Sequence, residues 1–433
     1  MPLVMCGRRP VDRLVAAVAI AAMVVTAVGS APASVRAATV LGTTTFYGRG
    51  YGHGVGMSQY GARGRALAGQ LAPAILAHYY AKTTLGGRDP ASLVRVLVLS
   101  GFAATAAKPL TVTGIGGAWT IDGIAATFPK SARLTLVPTA VGATTWALKV
   151  TSIDAVVLAT AVVSTAVIVR PASTASYLEL TSKATTYNLY RGFLRIRLTT
   201  TATVYDHVRL DLYLRGVVPV EMPSTWPVEA LKAQAIASRS YAVYRLHPTT
   251  GSFDVCDDTR SQVYRGRRAE TTAGNAAVAT TAGTVVLSGT AVANTLYHSA
   301  DGGWTENNEN VFVSSSGAIV AGPLPYLRGS SDRAPDGTSY DAASPYATWH
   351  TATYTGAALS AIFGRDSRTN VGTIATLDLS RRGVSGRLIS VTLAGSLGAK
   401  TVSGSTFIAV FNAGRPSTDS PMRNTLFATA PIP

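Results

Sequence analysis

Residues 213–243 read YLRGVVPVEMPSTWPVEALKAQAIASRSYAV, and the parsing of that run decides the fold. Leu210, Leu212 and Leu214 lead into Val217-Val218-Pro219, which predicts a strand or turn because a helix interior does not accept Pro219 and Pro223. Ser224 or Thr225 then offers a helix N-cap, and Pro227 suits a first turn. Val228, Leu231, Ala235 and Ala242 fall on one face of the helix that follows. Ala230, Ala233, Ala237 and Ser238 are small enough to let a neighbour pack closely. Glu221 is thereby set in the turn ahead of a helix N-terminus, between Val220 and Met222. Apolar neighbours push a carboxyl toward its protonated form, as a general acid requires, while a helix N-terminus favours the carboxylate. Spacing alone fits a capping or ion-paired glutamate as well as an acid catalyst.

Working outward, residues 42–90 are rich in glycine and aromatics before Pro73, Ile75, Leu76, Tyr79 and Tyr80 take up helix spacing. Residues 91–203 are a β-rich domain, read from short runs such as VRVLVLSG, SARLTLV, WALKVTS and GFLRIRLTTT. Residues 204–335 hold most of the chemically informative side chains. Residues 336–433 return to Thr/Gly/Ser-rich strands around a short helix at 356–363. The apolar run 155–169 is interrupted by Thr160, Ser164 and Thr165, and reads as a buried strand pair rather than a membrane span. The class is α+β.

Hydrophobic residues make up 47% of the 433, too many for a largely disordered chain, and the length allows two or three domains with real cores. The formal net charge is +16, from 38 Lys+Arg against 22 Asp+Glu, and only seven of the cations are lysine. Such an excess calls for an anionic partner without naming it. The N-terminus narrows the choice. Arg8, Arg9 and Arg13 precede an apolar stretch over 14–28, and Ala31-Pro32-Ala33 offers an A-x-A cleavage site. This predicts a signal peptide over 1–37 with cleavage near 33–38, too short to span a bilayer, leaving no integral membrane span after cleavage. The Arg8-Arg9 pair also admits a twin-arginine route. Loss of residues 1–33 leaves 35 basic against 21 acidic side chains, or +14. An exported basic protein meets cell-wall polymers before nucleic acid.

Several site types are excluded. GRGYGHGVGMSQYG has neither GxGxxG spacing nor a Walker lysine, and it holds no GxSxG elbow. There is no HExxH, and two cysteines exclude both a disulfide-stapled scaffold and a CxxC…CxxC zinc site. Cys6 would leave with the leader, making Cys256 a lone thiol. Asp254, Asp257 and Asp258 could group around a cation or form a solvated turn. Aromatics, 8% of the chain, do not interleave with basic runs as a single-strand nucleic-acid platform needs.

Three stretches together resemble the SpoIID/LytB family, the stage II sporulation protein D and amidase-enhancer group. They are FYGRGYGHGVGMSQYGARGRALAG…ILAHYYAKTTL, then YLRGVVPVEMPSTWPVEALKAQAIASRSYAV, then FDVCDDTRSQVYRGRRAETTAGNAAVATTAGTVVL…LYHSADGGWTENNENVF…GPLPYLRG, about 170 of 433 residues in all. The closing TVSGSTFIAVFNAGRPSTDSPMRNTLF is a looser match, with Ile408 where an arginine is often found. Where family members often carry a second Cys or a His, this chain has Arg260 and Ser261. No metal and no cofactor are therefore expected.

The resemblance implies a SpoIID-like catalytic core with a glycan-binding cleft, plus an inserted β-rich domain, and action on peptidoglycan glycan strands. It implies a lytic transglycosylase that cleaves the MurNAc–GlcNAc β-1,4 bond without water. The family's acid/base maps to Glu221, which would protonate the glycosidic oxygen and then accept the C6 hydroxyl proton as the 1,6-anhydro end forms. Arg239 is expected as its first partner. His298, Ser299, Gly302, Gly303 and Trp304 are expected to line the groove, with His53 and Gln59 from the glycine-rich stretch. The alternative implied by the family is a non-catalytic peptidoglycan-binding amidase enhancer, with a cell-wall amidase as partner. Both place the protein outside the cell, at the wall, with no nucleic-acid partner.

Overall fold

Ten residues, Leu93–Phe102, form the strand on which the larger part of the molecule is organised, with Val94, Val96 and Val98 buried. In this computed structural model residues 40–247 and 250–432 are described, and the leader expected over 1–37 lies outside them. The described chain is α+β and divides into two units: one of Gly50–Val311 with Gly322–Ala347, the other of residues 40–49, Phe312–Ala321 and 348–432.

In the first unit a seven-stranded sheet runs in the order Val255–Cys256, Leu93–Phe102, Ala202–Arg209, Phe193–Leu198, Ala166–Pro171, Trp119–Ile121 and Thr127–Phe128. Its neighbours are antiparallel except the first pair, which is parallel. A six-stranded antiparallel sheet follows the order Val157–Ser164, Thr145–Thr151, Arg133–Pro138, Leu110–Ile115, Tyr177–Glu179 and Leu189–Tyr190. Alternation explains the strands: Trp146, Leu148 and Val150 are buried while Thr145, Ala147 and Lys149 face out. Trp119, Leu134, Leu136, Trp146, Ile196 and Val204 belong to one shared core, where each buried aliphatic side chain contributes roughly 1.5–3 kcal/mol. The ends of the stretch 93–209 meet. Arg209 is the register partner of Leu93, and the Leu210 N–H donates to the Ser92 carbonyl at 2.8 Å.

Six helices complete this account of the unit: α1 (Gln59–Leu67), α2 (Ala72–Tyr79), α3 (Leu210–Arg215), α4 (Val218–Glu221), α5 (Val228–Arg245) and α6 (Thr272–Thr280). The other helices pack around α5, whose residues 230, 231 and 233–242 are all buried. Its small residues permit that enclosure.

Three local expectations need correction. Residues 210–215 and 218–221 are helical, with only 216–217 a turn, because Pro219 lies in the first turn of α4, where a missing N–H costs nothing. The cap of α5 is Pro227 without a side-chain hydrogen bond, and Ser224 instead bonds Thr271 at 2.7 Å. The run 155–169 does supply two strands, but they lie in different sheets, joined through Thr165 at φ +63°. The first is an edge strand rather than buried, with Val162 72% exposed. Cys256 is fully buried.

In the second unit Phe46 packs edge-on against Phe407, Phe411 and Phe427, with centroids 5.5–5.9 Å apart. Helices Gly356–Phe363 and Gly404–Gly414 and a three-stranded sheet surround that core. Ile408 packs against it. Among the described residues no helix is long and apolar enough to cross a membrane.

Candidate functional site

Glu221 closes the one-turn helix α4, half-buried between exposed Val220 and buried Met222. Its Oε1 accepts the Val263 N–H at 2.9 Å. Burial pushes the carboxyl above the ordinary glutamate value, while hydrogen bonds from Val263, Gln59 and Tyr297 pull it back only in part. The Tyr213 hydroxyl donates to Gln262 Oε1 at 3.1 Å, and Gln262 Nε2 donates to the Tyr297 hydroxyl at 3.0 Å. With its lone pair so engaged, Tyr297 has its proton to offer toward Glu221. The arrangement can hold a carboxylic acid neutral and still support the carboxylate once the proton has left.

The glycine-rich loop reaches this site through one residue. Gln59 begins α1, is buried, and its amide donates to the Glu221 carbonyl at 3.1 Å. Expected to line the groove, Gln59 supports the backbone at Glu221. Gly50, Gly52, Gly54 and Gly56 all have φ between +72° and +104°. They lay the loop on residues 296–302 so closely that a Cβ on Gly56 would stand 2.0 Å from the Leu296 carbonyl oxygen. Met57–Ser58 pairs in parallel with Tyr297–His298 as a result. His53 and His298 come together, ring centroids 5.3 Å apart. His298 is buried with Nδ1 3.3 Å from the Val55 carbonyl, and His53 Nδ1 accepts the Val55 N–H at 3.0 Å.

The next residues turn away into a buried polar cluster. Ser299 gives its carbonyl to the Tyr60 N–H at 2.9 Å. Gly302, at φ +79°, donates its N–H to Asp341 at 2.7 Å, and the Gly303 N–H reaches Asp301 at 2.8 Å. Both glycines are buried, so they serve chain geometry, while Trp304 remains 40% exposed. Behind them Asp332 takes Arg65 Nε and the Tyr79 hydroxyl, each at 2.8 Å. Burial also pushes His78 beside it down to about 4.

Arg239 is corrected outright. It is fully buried on α5, and its guanidinium binds Asp211 at 2.8 Å and the Thr284 and Val278 carbonyls at 3.1 and 3.2 Å. Burial on the far side of these partners keeps it from a solvent-borne glycan. The carboxylates after residue 253 are likewise taken one by one, Asp254 by Arg95, Asp257 by Lys183 and Asp258 by Arg260. Among the described residues no group of three His, Cys, Asp or Glu could hold a metal. Sequence reasoning missed Tyr213, Gln262 and Tyr297, whose signal is only spatial. It also missed Tyr60 and Trp226, whose rings meet at 4.8 Å beside Arg63; aromatics flanking Gln59 and following Glu221 could have been read.

Comparison with known proteins agrees with the motif reading. The family model for SpoIID, Stage II sporulation protein, matches residues 198–287. That span contains Glu221 and Gln262 but neither the glycine loop nor His298. The chain is 35% identical over 142 residues to an uncharacterized protein of Brachyspira hyodysenteriae, covering 32% of this chain and 36% of that one. To the amidase enhancer of Bacillus subtilis it is 34% identical over 151 residues, 34% of this chain and 21% of that one. To stage II sporulation protein D of the same organism it is 32% identical over 140 residues, 28% and 38%. The matched regions thus span only about a fifth to two fifths of these curated relatives.

Proposed function

We propose, starting from the chain's place in the SpoIID/LytB family, that this protein is an exported peptidoglycan lytic transglycosylase working at the cell wall. The observation that carries the reading is Glu221: one half-buried carboxyl, raised above its ordinary value by burial and bonded by Val263. Protonated, it gives its proton to the glycosidic oxygen as the bond to the MurNAc anomeric carbon breaks. As carboxylate, it takes the proton of the MurNAc C6 hydroxyl while that oxygen closes on the anomeric carbon. Atoms balance without water, and a single carboxyl suffices, unlike the two-carboxylate hydrolases. Tyr60 and Trp226 offer flat faces for a sugar ring next to the residues that hold Glu221.

A second reading follows from the relative named amidase enhancer: a non-catalytic peptidoglycan binder whose partner is a cell-wall amidase. The two part at Glu221. Purified protein is incubated with peptide-free glycan strands, and 1,6-anhydro ends are sought by mass spectrometry. Expected are anhydro ends from the wild type, reduced about 10²–10⁴-fold in Glu221→Gln. No anhydro product from the wild type, with glycan binding unaltered in the variant, would favour the enhancer. Product persisting in Glu221→Gln would move the chemistry to another residue.

A further inference from the structure

Apart from Glu221, the first unit holds a cavity of about 470 Å³ where its sheet meets α3, within the size range of small-ligand sites. Arg170, Arg191, Arg209, Arg215, His207 and Phe193 contribute to its wall, and no described acidic residue lines it. Two of the arginines are fixed from behind. Arg170 holds Asp122 through Nε and Nη2 at 2.7 and 2.9 Å, and Arg191 holds Glu270 through the same two nitrogens at 2.5 and 2.9 Å. Each pair neutralises one charge and leaves Nη1 over. Arg209 and Arg215 form no ion pair with a described residue, and Arg215 Nε is buried without a hydrogen-bond partner. His207 is 9% exposed with its Nε2 likewise buried and unpartnered. It stacks on Phe193 at 4.6 Å, and Arg170 lies 4.3 Å from the same ring. Burial and the nearby arginines push His207 down to about 4, so it adds a polar nitrogen rather than another cation.

We propose that this cavity is an oxyanion-binding site, taking a carboxylate or phosphate. Two guanidiniums without an ion pair and two further pre-oriented ones form the donor array such a group needs, because arginine matches the planar, forked geometry of both anions. The site stands apart from the glycan reading and survives its failure. A carboxylate would come from a peptide and a phosphate from a polyol phosphate polymer.

Calorimetry at low ionic strength on the full chain, with N-acetyl-D-alanine and glycerol 3-phosphate as probes, tests the site. Binding of either probe supports it, and the preferred one identifies the source. Arg215→Gln and Arg209→Gln are each expected to weaken binding about tenfold, and added salt should weaken it further. Arg209 is exposed, so its variant keeps the measurement meaningful if Arg215→Gln does not fold. No heat with either probe, or equal affinity in wild type and the Arg209 variant, overturns the proposal.

Discussion

Proton affinity at Glu221 is set by a contest whose members are separately removable. Burial raises it, and Tyr297 is one of three groups that lower it. Tyr297→Phe deletes one of those without opening the site, so the carboxyl should rise further. A step that needs the protonated acid fails as pH climbs through that value. The alkaline limb of anhydro-product formation should therefore lie above the ordinary glutamate range of about 4.3 and move to higher pH in Tyr297→Phe. A limb that stays in place would separate Tyr297 from the acid. Asp206 is raised in the same direction, and there the consequence falls on stability. Fully buried against the Tyr264 hydroxyl at 2.8 Å, it is pushed up to about 7. Between about 3.9 and that value the unfolded chain ionises while the folded one keeps its proton. Stability from this group is present at pH 4 and gone by pH 8. Melting curves should show the wild type losing ground to Asp206→Asn over that interval.

At the scale of elements, the glycine loop gives a sharp comparison. Gly56 and Gly69 share positive φ, +72° and +84°, but a Cβ meets the Leu296 carbonyl at 2.0 Å in the first case and nothing within 4 Å in the second. Gly69→Ala should cost about 1–2 kcal/mol, the left-handed penalty alone. Gly56→Ala should cost more and should also depress glycan cleavage, since Met57–Ser58 and Gln59 hang on that approach. Urea unfolding of both variants checks the ordering. The same loop marks where sequence is legible and where it is not. Helix α2 was readable because Ile75, Leu76 and Tyr79 repeat at helix spacing and are buried. The strands were readable because burial alternates along them. Residues 210–221 were misread because Pro219 argues against helix interiors, not first turns. Arg239 was misread because a buried ion pair and a groove residue look alike in a string. Its partners Asp211, Val278 and Thr284 are identifiable only in three dimensions.

Among the described residues, strand Val157–Ser164 is an unguarded sheet edge. Strand Val157–Ser164 has no charge or proline along its length, and Val157, Leu158 and Val162 are exposed at 54%, 39% and 72%. Such edges invite pairing between chains. Val162→Lys should reduce self-association in concentration-dependent light scattering while shifting the unfolding free energy by no more than about 0.5 kcal/mol. The pairing of Leu93 with Arg209 has a consequence in time as well as in space. The Gln59–Glu221 contact spans 162 positions and the Val55–His298 contact 243, separations that make folding slow when a disordered loop must close. If the stretch 93–209 condenses first, it draws its two ends together and removes more than a hundred residues from that search. The Glu221 segment would then assemble last, on a scaffold already closed, and refolding chains should gain β-sheet signal before they gain any of the anhydro-product activity proposed above.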